Sequence, residues 1–379
     1  MPDAISQPTF LQPEKILVRG VNWLGDAVMS MPALMRLREA KPKAHITLLT
    51  HQKLGDLWRG NASIDEIKLF SGAENVWQIG RSLRESHFDI ALAFPNSHRS
   101  ALEFWLAGIP ERIGYARPFR KFFLTQAVPR REGHLEMRKR SLAEINHLNA
   151  QPAGVQSPEI SPSAHHIFQY LHLAATLGAK REAIAPQIVV SDAEISSFHE
   201  RLRAISNATP SNWLGLIPGA EYGPAKRWPA DRFIAAAVKL HEATGCGWII
   251  FGAKDPATQR VSGELEKILG IASVVDFSGK TSVRELCAGM KFCTLVLTND
   301  TGPMHIAAAV GTPVVVPFGS TSSHLTGPGL PGENRNLILQ TNAACAPCFR
   351  RECPIDFRCL RSITVEDVVG ACLRGFGKL

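Results

Sequence analysis

Short apolar runs alternate with helix-patterned stretches along the whole of this chain, and that alternation limits the fold more than any other feature. In the first half, Lys15 to Arg19, Ile46 to Thr50, Ile67 to Phe70, Asp89 to Phe94 and Arg112 to Tyr115 read as strands. The series restarts with Leu214 to Ile217, Trp248 to Phe251, Val274 to Phe277, Leu295 to Thr298, Val314 to Pro317 and Leu337 to Leu339. Strands joined by helices pair in parallel, since a parallel partner is reached only through a long crossover, and the resulting sheet is covered on both faces. The expected fold is α/β, with two facing Rossmann-like domains and a cleft between them. A helix expected from Ala164 to Leu177 precedes a loose tract, Gly178 to Asn212, which holds Pro186, Pro210 and many small polar residues and reads as the interdomain linker. This places a first domain at 1–190, a second at 191–364, and at 365–379 a terminal helix, Val365 to Phe376, long enough to return to the first domain.

At 379 residues, 45% of them hydrophobic, the chain has material for a large core and for two domains. Met1 to Phe10 holds Asp3, Gln7 and two prolines but no apolar signal region. The longest apolar tract, Ile306 to Gly319, is broken by Gly311, Thr312 and Pro313 and falls short of the roughly 18 residues of a membrane span. The expectation is a cytoplasmic protein, peripheral at most to a membrane. A formal charge of +8 implies anionic partners, with nucleic acid, anionic lipid and phosphorylated sugar all chemically open. No nucleic-acid module is visible, so nucleic acid is not expected.

Of the eight cysteines, Cys246, Cys287, Cys293 and Cys372 sit in apolar contexts and read as buried thiols. Cys345, Cys348, Cys353 and Cys359 crowd together, and without a secretion signal that crowding favours a structural zinc site over disulfides, with unliganded thiols as the alternative.

Three turns carry the chemistry. After the first strand, Arg19 to Leu34 contains Asn22-Trp23-Leu24-Gly25-Asp26 but lacks G-x-G-x-x-G spacing, which disfavours hydride transfer. Asp26 is either a helix cap or a general base. Pro218 to Pro229 delivers two cations, Lys226 and Arg227, after another strand. Thr298-Asn299-Asp300-Thr301-Gly302-Pro303-Met304-His305 joins a buried strand to a small-residue helix, a geometry that turns free amides and a positive dipole end toward one point. The last two turns together suggest a diphosphate clamp. In the first domain, Asn96, Ser97 and Arg99 follow a strand on the same side as Asp26 and are either acceptor ligands or turn formers. No Asp-x-Asp occurs, so the usual pattern for holding Mg²⁺ against a diphosphate is missing.

Asn22 to Asp26 with Ser30 and Pro32, Pro218 to Pro229, Thr298 to His305, Pro95-Asn96-Ser97, Ala107 to Pro110 and Arg112 to Tyr115 occur in the order of the bacterial ADP-heptose:lipopolysaccharide heptosyltransferase family, which the chain resembles from about Lys15 to Val369. The pattern lies nearest the type II members. The resemblance implies a GT-B fold and inverting transfer of L-glycero-D-manno-heptose from ADP-heptose to the inner core of lipopolysaccharide, at the cytoplasmic face of the inner membrane. No cofactor is then required for catalysis.

On this reading Asp26 deprotonates the acceptor hydroxyl and Lys226 neutralises the leaving diphosphate, aided by the amides of Thr301 and Gly302. His305 reaches the phosphate or ribose, or merely packs its helix. Asp300 contacts the donor sugar or nucleoside, or caps the helix after it, and Asp255 binds the ribose hydroxyls. Asn22, Asn96, Ser97 and Arg99 face the acceptor, a lipid A-core molecule. A paralogous heptosyltransferase with another acceptor, a GT-B sugar-nucleotide epimerase and a non-catalytic nucleotide binder remain as rivals.

Overall fold

The apolar runs form two six-stranded sheets in which every neighbouring pair is parallel. The structure is a computed structural model and describes residues 14–151 and 160–376, so the stretch Met1 to Phe10 lies outside the described residues. The first sheet contains β1 (Lys15–Arg19), β2 (His45–His51), β3 (Glu66–Phe70), β4 (Ile90–Ala93), β5 (Glu111–Tyr115) and β6 (Gln126–Val128), in the order β3-β2-β1-β4-β5-β6. The second contains β7 (Trp213–Ile217), β8 (Gly247–Ile250), β9 (Val274–Asp276), β10 (Leu295–Thr298), β11 (Val314–Phe318) and β12 (Leu337–Gln340), in the order β12-β11-β10-β7-β8-β9.

The strand order reverses between β1 and β4 in one sheet and between β7 and β10 in the other. Connections leave a reversal in opposite directions, so a crevice opens at the carboxyl ends of those strands, where α/β proteins bind ligands. Register sharpens this. Arg19 pairs with Ala93 at the ends of β1 and β4, and Thr298 with Ile217 at the ends of β10 and β7. The loops that carry the sequence motifs therefore leave each sheet at one level.

Both faces of the strands are buried. In the first sheet Ile16, Val18 and Leu92 pack on one side with the helices Leu24–Ala40 and Ile167–Ala174, while Leu17, Ala91 and Phe104 fill the other. The first of these cores runs without a break into the second domain through Met304, Ile306 and Val316. The helix Leu24–Ala40 lies against the helix Gly302–Ala309, and the chain also crosses by Ile188 N–H donating to Ala309 O and His166 N–H to Leu325 O. Fully buried Glu103 is neutralised by Arg19, at 2.9 Å, and Arg99, at 3.1 Å.

Several sequence expectations change. The tract read as a linker contains the helix Asp192–Ile205, started by a reciprocal Ser191/Glu194 capping box and packed on the helix Val283–Phe292. The helix expected from Ala164 is α-helical only over Ile167–Ala174, between short 3₁₀ turns. β6 went unread because three residues carry too little pattern. The terminal helix, Val365–Gly375, packs on the second domain: Val368, Ala371 and Cys372 complete its core, and the helix lies against Ala230–Thr244 and β10 to β12.

His165 ties the domains from the other side, with Nε2 3.1 Å from Gly327 O and Nδ1 accepting from Ile167 N–H. Burial holds it neutral, pushing it down to about 3. An unfolded histidine takes up a proton near pH 6.5, so between that pH and about 3 the unfolded chain binds the extra proton and folding is weakened as pH falls. The melting temperature is expected to drop as pH is lowered from 7 to 5, and His165→Gln, which keeps a polar side chain but does not titrate, should flatten that slope in a thermal-shift series.

Candidate active site

The loops after β7 and β10 are sewn together by Asn299, whose Oδ1 accepts from Trp228 N–H at 2.9 Å and whose Nδ2 donates to Pro218 O at 2.7 Å. This brings Lys226 Nζ to 2.6 Å from Asp300 Oδ2, and Thr321 donates its hydroxyl to the same oxygen. Asp300 is thus an ion-pair partner and not a cap. The Lys226 ammonium also lies 4.9 Å from the Tyr222 ring centre, and the Arg351 guanidinium 5.2 Å from it. Arg227 turns back to Ala220 O, so only one of the two expected cations reaches the cleft from this loop.

The helix Gly302–Ala309 begins at Thr301 with no side-chain cap, and Thr301, Gly302 and His305 line the cleft beside Lys226 and Asp300. His305 is buried, and desolvation pushes it down to about 4, leaving a neutral ring at neutral pH. The ring thus packs its helix and also lines the cleft.

Across the cleft the helix Leu24–Ala40 starts at Trp23, also without a side-chain cap. Asp26 is free of capping duty. Its Oδ1 lies 3.4 Å from the Tyr170 hydroxyl and 3.6 Å from His166 Nδ1, and the two rings stack with centres 5.4 Å apart. Burial first, and then the Asp26 charge, push the Tyr170 phenol well up, so it stays a protonated donor toward the carboxylate.

Asp26 lines two cavities at once. One is the cleft with Lys226, Asp300 and His305, and the other is a first-domain pocket with Asn22, Asn96, Ser97, Tyr115 and Gln169. Beyond Asn96, Tyr115 and Gln169 that pocket adjoins a smaller one carrying Arg117, Arg130, Arg131 and His134 and no carboxylate. Within it Asn96 Oδ1 and Arg131 Nε and Nη2 are buried without a hydrogen-bond partner. Ser97 serves twice, since its hydroxyl also caps the helix His98–Leu106.

Two expected ligands are used elsewhere. Arg99 pairs with Glu103 and donates to Glu74 O. Asp255 caps the helix Pro256–Leu269, accepting from Ala257 N–H, Thr258 N–H and the Thr258 hydroxyl, and does not line the cleft. The thiols of Cys345, Cys348, Cys353 and Cys359 border one small pocket, but among the described residues no three His, Cys, Asp or Glu side chains are gathered as metal ligands. Hydrogen bonds dock this loop: Ala225 N–H donates to Arg351 O, the Tyr222 hydroxyl to Phe349 O, and Arg140 N–H to Cys348 O.

Sequence reasoning gave no role to His166, Tyr170, Thr321, Tyr222 or Asn299. The i, i+4 spacing of His166 and Tyr170 on one helix face was the only local signal for that pair.

Two parallel α/β domains, with an acid on one wall of the cleft and a lysine and helix end on the other, have the architecture of the GT-B glycosyltransferases. The profile of glycosyltransferase family 9 (heptosyltransferase) matches residues 76–357. Lipopolysaccharide heptosyltransferase 2 of Escherichia coli K12 is 30% identical over 333 residues, covering 83% of this chain and 85% of that one. Lipooligosaccharide heptosyltransferase 2 of Haemophilus influenzae is 30% identical over 321 residues, with coverage of 83% and 85%. The solved structure of E. coli ADP-heptose lps heptosyltransferase II shares the fold, with TM-score 0.73 and 24% identity over 96% of this chain and 99% of that one. The chain belongs to glycosyltransferase family 9, the heptosyltransferases, which sets aside the epimerase and the non-catalytic binder.

Because Arg99 and Asp255 are spent on local structure, Arg99→Ala and Asp255→Ala are expected to lower stability, the loss of the Asp255 cap by about 1 kcal/mol. Both should leave the KM values for donor and acceptor within about twofold of wild type, as checked by steady-state kinetics beside denaturant melts.

Proposed function

We propose that this chain transfers heptose from ADP-heptose to the lipopolysaccharide inner core, as a type II heptosyltransferase, with inversion and without a catalytic metal. The observation that carries this reading is the position of Asp26 on the boundary between the cleft that holds Lys226 and the first-domain pocket. An acceptor hydroxyl in that pocket would meet Asp26 on one side and the anomeric carbon of a donor in the cleft on the other.

The hydroxyl oxygen forms a bond to the anomeric carbon while Asp26 takes its proton, and the bond from that carbon to the β-phosphate oxygen breaks. The electron pair leaves with ADP. Negative charge thus develops where Lys226 and the start of the helix Gly302–Ala309 converge. Fixed positive charge of this kind stabilises the leaving group most when it is already in place, and Asp300 with Thr321 fixes the lysine beforehand. Neutral His305 adds a hydrogen-bonding ring without opposing Lys226. The Tyr170 hydroxyl and His166 orient the Asp26 carboxylate.

On the acceptor side, the cationic pocket around Arg117, Arg130 and Arg131 suits the anionic groups of a lipid A-core acceptor. No helix among the described residues is long and apolar enough to cross a membrane, and the proposed working place is the cytoplasmic membrane surface. The cysteine loop serves as a brace for the Tyr222 to Lys226 turn, and structural zinc there stays a proposal that metal analysis of purified protein decides.

Asp26→Asn is expected to lower kcat by about 10²–10⁴-fold with donor affinity little changed, measured by ADP release and by calorimetric titration with ADP-heptose. Near-normal turnover would remove the base assignment. Lys226→Ala should weaken donor use, whereas EDTA should leave the wild-type rate intact. A rate that collapses on chelation and returns with Mg²⁺ would overturn the metal-free mechanism.

A further inference from the structure

Between Glu111 and Glu132 the chain carries Arg112, Arg117, Arg120, Lys121, Arg130 and Arg131 and no acid. In the middle of this run the short turn before β6 exposes two large aromatic side chains, Phe119 at 74% and Phe122 at 69%. Trp105, half exposed on the neighbouring helix, stands 6.1 Å from Phe123 and extends the apolar patch. Solvent-facing rings on a cationic turn lose hydrophobic free energy unless something covers them.

The turn is built to hold them out. Phe119 has φ +60°, a left-handed conformation that a bulky residue adopts only when its surroundings impose it. What imposes it is Arg120, fully buried, whose guanidinium donates to Ser97 O at 3.0 Å, Tyr115 O at 2.5 Å and Pro95 O at 2.8 Å. Gly114 makes room for that group, because a Cβ there would lie 2.9 Å from Arg120 Nη2. Burial lowers Arg120 to about 10, so it remains charged at neutral pH. Arg120 thus bolts the turn onto Pro95 and Ser97, both of which line the pocket beside Asp26, and Arg117 at the start of the turn lines the adjoining cationic pocket.

We propose that the turn 117–122 is the bilayer-contact element of this enzyme, with Phe119 and Phe122 seated among the headgroups of an anionic membrane and Lys121 paired with their phosphates. Aromatic rings at the interface and cations on the same element are the chemistry that a charged lipid surface selects. A second copy of this chain fits poorly, since a two-fold contact through the patch would set Arg117 and Lys121 against their own counterparts. The proposal rests on the reading of a lipid-linked acceptor. It adds that the acceptor pocket opens beside the point of membrane contact, so the lipid end of the acceptor need not leave the bilayer.

The test is sedimentation with phosphatidylcholine vesicles, with and without phosphatidylglycerol, across a salt series. Wild type is expected to partition onto the anionic vesicles, less so at high salt. Phe119→Ser with Phe122→Ser should reduce partition at least roughly tenfold at every salt concentration. Lys121→Glu should lower it on the order of tenfold at low salt only. Both variants should melt like wild type and keep its rate on a deacylated, soluble acceptor while losing rate on vesicle-embedded acceptor. Equal partition of the double serine variant and wild type, or wild type that ignores anionic vesicles, would overturn the membrane role. So would a concentration-dependent dimer, seen by light scattering, that the serine variant abolishes. Failure of wild type to glycosylate the soluble acceptor would count against the proposed function instead, whatever the vesicles show.

Discussion

The active site depends on how closely two helix starts approach. A Cβ on Gly25 would lie 2.8 Å from His305 Cδ2, and one on Gly302 would lie 2.9 Å from Leu24 Cβ. At these two glycines the absence of a side chain lets the helix after β1 meet the helix after β10, each rising from the strand-order reversal of its own sheet. Asp26 and His305 sit one residue and three residues past the contact glycines of their own helices. A larger residue at either glycine would push apart the helices that carry Asp26 and His305.

Charge in the cleft is arranged so that few groups are left uncompensated before a ligand arrives. The Lys226–Asp300 pair is almost fully buried, and a buried pair of this sort contributes less to stability than to fixing geometry. Arg19 and Arg99 likewise compensate the fully buried Glu103, with the Arg19 guanidinium 4.1 Å from the Phe70 ring centre. Asn96 Oδ1 and Arg131 Nε and Nη2, which border the smaller first-domain pocket, are among the buried polar atoms without a hydrogen-bond partner, as is His166 Nδ1 beside Asp26.

Much of this was legible in the sequence, because parallel strands are buried on both faces and announce themselves as unbroken apolar runs. The turns after β1, β7 and β10 were legible too, as they must supply special residues at fixed offsets. What failed has a common cause. Arg99, Arg227 and Asp255 carry the right chemical groups at strand ends, yet each satisfies a nearby backbone or side-chain partner that linear spacing does not reveal. His166 and Tyr170 act on an aspartate far away in sequence, so only tertiary packing shows it. The helix Asp192–Ile205 did have its Ser191-x-x-Glu194 signature, which the surrounding prolines and small residues masked.

The docking of the cysteine loop reaches beyond the turn it supports. Arg140, in the first domain, donates to Cys348 O and to Ala344 O, and Arg350 donates back to Arg140 O. These stitches add to the Gly25–His305 contact and to the hydrogen bonds from Ile188 to Ala309, His166 to Leu325 and His165 to Gly327, so the two domains are joined at several points. A rotation that widens the cleft must release some of these links. At Arg140 that means giving up three hydrogen bonds together, on the same loop whose Phe349 and Arg351 line the cleft, which ties the opening of the domains to the shape of the cleft wall.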